Sequence, residues 1–325
     1  MRTPPGEFEI IREYFAGAPR GEGVVLGIGD DCALLQPPAG EQLATSVDTL
    51  VAGRHFPDGA DPALLAGRAL RVNLSDLAGM NARPLWFTLA LTLPESDPDW
   101  LRGFADGLLQ TAQAYGISLV GGDTTKGPLT ITVQVTGSTS APLRRDGARA
   151  GDAVFVSGPL GAAAAALPVI LGEREVAPEL YQRAQRAYYS PEPQLQTAAA
   201  VAGLATSALD ISDGLLGDLG HICAASDLDA ELDMARLPVD PLAAELAGEG
   251  ALELAATGGD DYQLCFTAPP SRAGEVAERC AAHGARPVRI GTLVARPRGT
   301  QERARVRCLL DGEEWLAKQP GYRHF

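Results

Sequence analysis

Ile117-Ser118-Leu119-Val120-Gly121-Gly122-Asp123-Thr124-Thr125-Lys126 reads as a buried strand that delivers an aspartate. Its first four residues form a short apolar run, and Gly121-Gly122-Asp123 punctuates its end. Upstream, Pro98 opens a helical pattern over 98–115, and downstream 129–136 alternates like a strand. Further back, 85–93 reads as a strand, and Asp61-Pro62 opens a long helix reaching about residue 82, with Asp61 as its cap. Short strands at 24–27 and 43–48 carry aspartates at their ends. The Arg/Gly/Asp-rich run 144–152 reads as a connection between domains. Beyond it, strands are expected at 153–157, 208–210, 262–267, 288–290 and 306–310, and helices at 161–171, 178–188, 194–202 and 214–225. Strands and helices alternate in both halves, so the expected fold is α/β (α+β) in two domains, 1–143 and 144–325.

Composition agrees with a globular chain. The 325 residues are 46% hydrophobic and 21% charged, a length that favours two domains. A formal net charge of -14 argues against non-specific nucleic-acid binding but not against nucleotides, because metal ions reverse the local sign. The five cysteines form no CxxC pair, and Cys223 and Cys265 sit in apolar runs, as in a reduced cytoplasmic protein. Residues 1–14 are charged throughout and do not resemble a signal peptide, and no apolar stretch approaches membrane-spanning length.

The chemistry resides in aspartate-centred motifs. Besides Gly121-Gly122-Asp123 they read Gly27-Ile28-Gly29-Asp30-Asp31, Ser46-Val47-Asp48-Thr49, Asn73-Leu74-Ser75-Asp76, Asp210-Ile211-Ser212-Asp213-Gly214 and Gly258-Gly259-Asp260-Asp261-Tyr262. Taken singly, each has a plain structural explanation: a hairpin turn at Asp30-Asp31, a satisfied core aspartate at Asp76, a helix N-cap at Ser212 or Asp213. Together they suggest one site built from many loops. Carboxylates repel phosphate, so such loops cradle it through a hard cation with oxygen ligands, and Mg²⁺ is held in this way. The helix N-terminus after Asp213 would also favour an anion. Asn73 and Asp76 are i,i+3 neighbours on a helix expected to be buried. His55 follows the Asp48 strand and is the better histidine for ligand contact, with His221 inside a helical run. No GxxxxGK[ST], HExxH or GxSxG occurs, which disfavours Walker, zinc-hydrolase and serine-hydrolase chemistry.

These motifs, with Asp48-Thr49-Leu50-Val51-Ala52-Gly53-Arg54-His55-Phe56 and the terminal Gly321-Tyr322-Arg323-His324-Phe325, resemble the thiamine-monophosphate kinase family, of the aminoimidazole ribonucleotide synthetase superfamily. The resemblance implies a homodimer in which the N-terminal sheet domain forms an intersubunit barrel, followed by a C-terminal α/β sandwich. It implies Mg²⁺ at Asp30, Ser46, Asp48, Asp76, Asp123, Asp210 and Asp213. ATP contacts would come from Gly122, Asp123, Arg145 and Ser212, and thiamine monophosphate contacts from His55, Asp260 and Gln319. Three positions depart from the family pattern: Val47 for Thr, Asp260 for Glu, and Gln319 for an aromatic residue. The alternatives are another ATP-dependent enzyme of the superfamily and a non-catalytic divalent-metal-binding protein. The superfamily's selenophosphate synthetase would want a reactive cysteine, and Cys32 lies in an apolar Cys-Ala-Leu-Leu run.

Overall fold

Side-chain alternation along the strands settles how the N-terminal sheet is covered. The computed structural model describes residues 5–296 and 304–318. The chain divides into two units, 1–77 with 82–140 and 78–81 with 141–325. In the first, a short helix α1 (Glu7–Ile10) precedes the strands β1 (Val24–Leu26), β2 (Leu34–Leu35) and β3 (Gln42–Val51). Then come α2 (Pro62–Gly79), β4 (Arg83–Leu93), α3 (Pro98–Tyr115), β5 (Ser118–Lys126) and β6 (Thr130–Thr139). Asp61 caps α2 as expected, its Oδ1 accepting the amides of Ala63 and Leu64 at 2.9 and 3.0 Å.

The four-stranded sheet runs β3-β6-β4-β5, antiparallel except for the β4–β5 pair. Leu65, Leu70, Leu74 and Leu77 of α2, with Leu101, Phe104 and Leu108 of α3, are fully buried and supply the helical side of the core. Leu85, Trp86 and Val120 are buried against Val24 and Ala33 of the β1–β2 region. Strand β5 does not stop at Val120. It bulges between its Phe87 and Thr88 partners and pairs on through Gly121, Gly122 and Asp123 to Lys126. The glycines therefore mark a bulged strand rather than a strand end.

The second unit contains β7 (Ala153–Val156), α4 (Ala162–Ile170), α5 (Pro178–Tyr189), α6 (Leu195–Val201), β8 (Ser207–Asp210) and α7 (Leu215–Ser226). It continues with β9 (Leu228–Asp233), α8 (Pro241–Ala247), α9 (Ala251–Thr257), β10 (Leu264–Ala268) and α10 (Ala273–Ala282). The last strands are β11 (Val288–Ala295), β12 (Val306–Leu310) and β13 (Glu313–Trp315). The seven-stranded sheet has the order β13-β12-β9-β11-β7-β10-β8. Both its faces are covered, which explains the unbroken apolar runs of the central strands. Val154, Val156 and Cys265 pack with Leu215, Leu219 and Ile222 of α7. Ala153, Phe155 and Phe266 pack with α6 and α10 through Ala198, Val201, Val276 and Cys280. Cys223, Cys265, Cys280 and Cys308 are buried free thiols. Among the described residues no helix is long and apolar enough to cross a membrane.

Candidate active site

In the N-terminal unit, period two along β3 sorts donors from surface. Ala44, Ser46, Asp48 and Leu50 share one face, while Leu43, Thr45, Val47 and Thr49 are exposed on the other. Val47 therefore points its side chain away from the Ser46–Asp48 face. Ser46 Oγ donates to Asp76 Oδ2 of α2 at 2.6 Å, and the Asp48 amide donates to Asn73 Oδ1 at 3.1 Å. Asn73 is itself anchored, its Nδ2 donating to the Ala69 carbonyl at 2.9 Å. Asn73 thus serves the β3 backbone while Asp76 serves the Ser46 hydroxyl. Asp76 is half-buried, not fully buried as its apolar neighbours suggested.

Asp30 and Asp123 line one cavity of about 490 Å³, with Gly29, Asp31, Gly121 and Gly122 in its wall. Gly122 is obligatory there: its φ is +154°, and a Cβ would stand 1.8 Å from the Leu89 carbonyl oxygen. Cys32, expected in an apolar setting, is exposed and lines the same cavity. His55 sits in the turn after β3, half-buried, with Nδ1 accepting the Val51 amide at 3.0 Å. That bond orients the ring and puts its proton on Nε2.

In the C-terminal unit, Asp210 ends β8, buried and paired in register with Leu264. The loop that follows carries a half-buried Ser212 and an exposed Asp213. The Asp260 amide donates to the Ser212 carbonyl at 2.8 Å, and the Tyr262 amide to the Ile211 carbonyl at 2.9 Å. These bonds bring the Gly258–Tyr262 turn onto the Asp210–Gly214 loop. A Cβ at Gly259 would lie 2.4 Å from the Ser212 carbonyl oxygen, so the approach requires glycine. Asp260 and Tyr262 both adopt left-handed backbone, with φ of +69° and +51°. The Tyr262 hydroxyl donates to Asp260 Oδ1 at 3.0 Å. Arg145 is exposed in a single 3₁₀ turn, Arg145–Gly147. Gln319 and the terminal 321–325 motif lie outside the described residues.

Every side-chain donor among the expected metal positions is a carboxylate or a hydroxyl. Hard oxygen donors, with Asp30 and Asp123 on one cavity and Ser46 bonded to Asp76, fit Mg²⁺ rather than a thiophilic metal. Among the described residues of the N-terminal unit, no three carboxylate, imidazole or thiol groups stand close enough to share an ion.

Residues 29–139 match the AIR synthase related protein N-terminal domain, and residues 149–302 match the corresponding C-terminal domain. Thiamine-monophosphate kinase of Escherichia coli (strain K12) is 43% identical over 330 residues, covering 98% of each chain. The chain belongs to the thiamine-monophosphate kinase family. The crystal structure of the Stenotrophomonas maltophilia thiamine-monophosphate kinase is 40% identical, with a TM-score of 0.81 over 90% of this chain and 92% of the other. AaThiL complexed with AMPPCP and TMP is 29% identical, with a TM-score of 0.77 over 92% of each chain.

In this member of the family, two carboxylates to which the sequence motifs assign no role hold the C-terminal loops. Asp218 Oδ2 accepts three successive amides, Ser212, Asp213 and Gly214, at 3.0, 3.0 and 3.1 Å. The loop amides leading into α7, up to its N-cap Gly214, are therefore already engaged by a carboxylate. Neither Ser212 nor Asp213 caps α7; Gly214 occupies the N-cap position. Asp261 Oδ2 accepts the Gly161 amide at 2.6 Å, and its Oδ1 the Ala163 amide at 3.4 Å. Burial pushes Asp218 up to about 6 and Asp261 up to about 7, against the opposing pull of the amides. The one sequence signal was position: Asp218 lies in the first turn of a helix that begins just after a Ser-Asp-Gly loop.

Proposed function

We infer that this chain transfers the γ-phosphoryl group of ATP to thiamine monophosphate, forming thiamine diphosphate. The observation that carries the reading is the cavity wall shared by Asp30, Gly122 and Asp123, in a chain of this family. The relative complexed with AMPPCP and TMP supports both substrates. The acceptor is a phosphate monoester whose second pKa is about 6, so it is largely ionised at neutral pH and needs no general base. The chemistry that bound Mg²⁺ supplies is charge neutralisation between two polyanions and alignment of the in-line transfer.

Asp30, Ser46, Asp48, Asp76, Asp123, Asp210 and Asp213 would hold the metal ions. Gly122 gives the nucleotide close backbone approach, and Arg145 and Ser212 contact its phosphates. His55, oriented through Nδ1, presents its Nε2 proton to the acceptor. Asp260 meets the cationic thiazolium or the aminopyrimidine, with Gln319 as a further substrate contact. The N-terminal domain would also carry dimerisation, its sheet joining the partner's in a barrel. Exposed Leu43 and Val47 on the edge strand β3 support this. The buried free thiols support a reducing, cytoplasmic setting.

A coupled assay of ADP release tests the reading. Release from Mg²⁺·ATP should require thiamine monophosphate. Release that ignores the acceptor, or none at all, would overturn it.

A further inference from the structure

Asp218 has no ligand role in the scheme above, yet it is only 5% exposed. One of its oxygens gathers three consecutive amides of the loop bearing Ser212 and Asp213. A nest of successive amides ordinarily takes an anion. Here the anion is built into the chain, four residues along the helix that the loop opens. The consequence is geometric. With their amides turned inward to Asp218, the Ser212 and Asp213 side chains are left half-buried and exposed, respectively.

We propose that Asp218 is a positioning residue for phosphoryl transfer, holding the Ser212-Asp213-Gly214 loop in the one conformation that offers its side chains to the metal–nucleotide complex. The proposal rests on the nucleotide and metal roles given to Ser212 and Asp213 above. Removing the carboxylate strands three amides, one buried and two part-buried, which the loop can satisfy only by turning outward. Second-layer partners of this kind typically change affinity or activity about 10- to 100-fold.

The test uses the full-length protein, Mg²⁺ with a non-hydrolysable ATP analogue as the probe, and Asp218→Ala, Asp218→Asn and Asp218→Glu. Asp218→Ala should lose hydrogen-exchange protection at the amides of Ser212, Asp213 and Gly214. Its dissociation constant for the Mg²⁺·analogue should rise about 10-fold or more, with the KM for thiamine monophosphate held within about two-fold. Asp218→Asn keeps an acceptor oxygen and should recover most of that affinity. If Asp218→Ala does not fold, Asp218→Glu decides, since its extra methylene displaces the carboxylate but keeps the charge. It too should weaken the analogue selectively. Unchanged analogue affinity in a folded Ala or Glu variant, or equal losses for both ligands, overturns the proposal. A wild-type protein that protects these amides and binds the analogue, but does not phosphorylate thiamine monophosphate, would instead sink the functional reading and leave the clamp standing.

Discussion

Asp260 is the residue whose departure from the family pattern matters most, because it replaces a glutamate with a side chain one methylene shorter. The structure places it on left-handed backbone with its Oδ1 bonded to the Tyr262 hydroxyl. A shorter arm reaches a substrate only if the turn stands closer or a water bridges the gap. Asp260→Ala should raise the KM for thiamine monophosphate and leave that for ATP nearly unchanged, while Asp260→Glu is tolerated. Steady-state kinetics with each substrate varied in turn checks this, and a rise in the ATP constant would move Asp260 into the nucleotide site. Its neighbour Asp261 yields a pH prediction. Burial raises its folded pKa to about 7, with Asp240 and Asp260 adding to the rise, so the folded chain holds its proton where the unfolded chain has lost it. Stability from this group is therefore present at acid pH and fades as pH climbs through about 7. Asparagine mimics the protonated form, so the melting temperature of Asp261→Asn relative to wild type should improve between about pH 5 and pH 8. A difference that stays flat over that range would remove Asp261 as the titrating group.

At the scale of elements, the sequence shows which segments carry the chemistry more clearly than how those segments end. The helix over 98–115 agrees with α3 because Asp97, Pro98 and Gly116 mark both its ends locally. The sequence pattern ends β5 before Gly121, because glycine disfavours strands, while the strand's register is imposed from β4 and carries it on to Lys126. Gly122→Ala should test that register. The added Cβ would strike the Leu89 carbonyl, so a loss of about 2–4 kcal/mol is expected by chemical denaturation. A neutral result would mean that β5 does not run against β4 at this point. The Ser46–Asp76 bond joins residues 30 apart, and the Asp261–Gly161 bond joins residues 100 apart. No local pattern announces such pairs, which is why the donors are legible as a set and the Asp261 clamp is not. Strands β9 and β13 and helices α8 to α10 are not legible in the sequence either, being too short for a period to show.

At the scale of the whole molecule, the homodimer that the resemblance implies needs an uncovered apolar surface, which the strands at 85–93 and 129–136 do not supply. Strands β4 and β6 are instead largely buried within their own unit. Within the four-stranded sheet, the uncovered large apolar side chains lie on β3, where Leu43 and Val47 are 50% and 58% exposed at a sheet edge. Light scattering at micromolar concentration should give a dimer, and Val47→Asp should shift it toward monomer; a monomeric wild type would refute the barrel. The central claim concerns chemistry, namely that a phosphate oxygen, not an alcohol, receives the phosphoryl group. Phosphorus NMR of the protein with ATP, Mg²⁺ and thiamine monophosphate tests it most directly. Thiamine diphosphate and ADP should appear together and fail to form when the metal is chelated, and free thiamine should be converted to thiamine monophosphate and ADP far more slowly. ADP and inorganic phosphate beside unchanged thiamine monophosphate, or equal turnover of both acceptors, would contradict it.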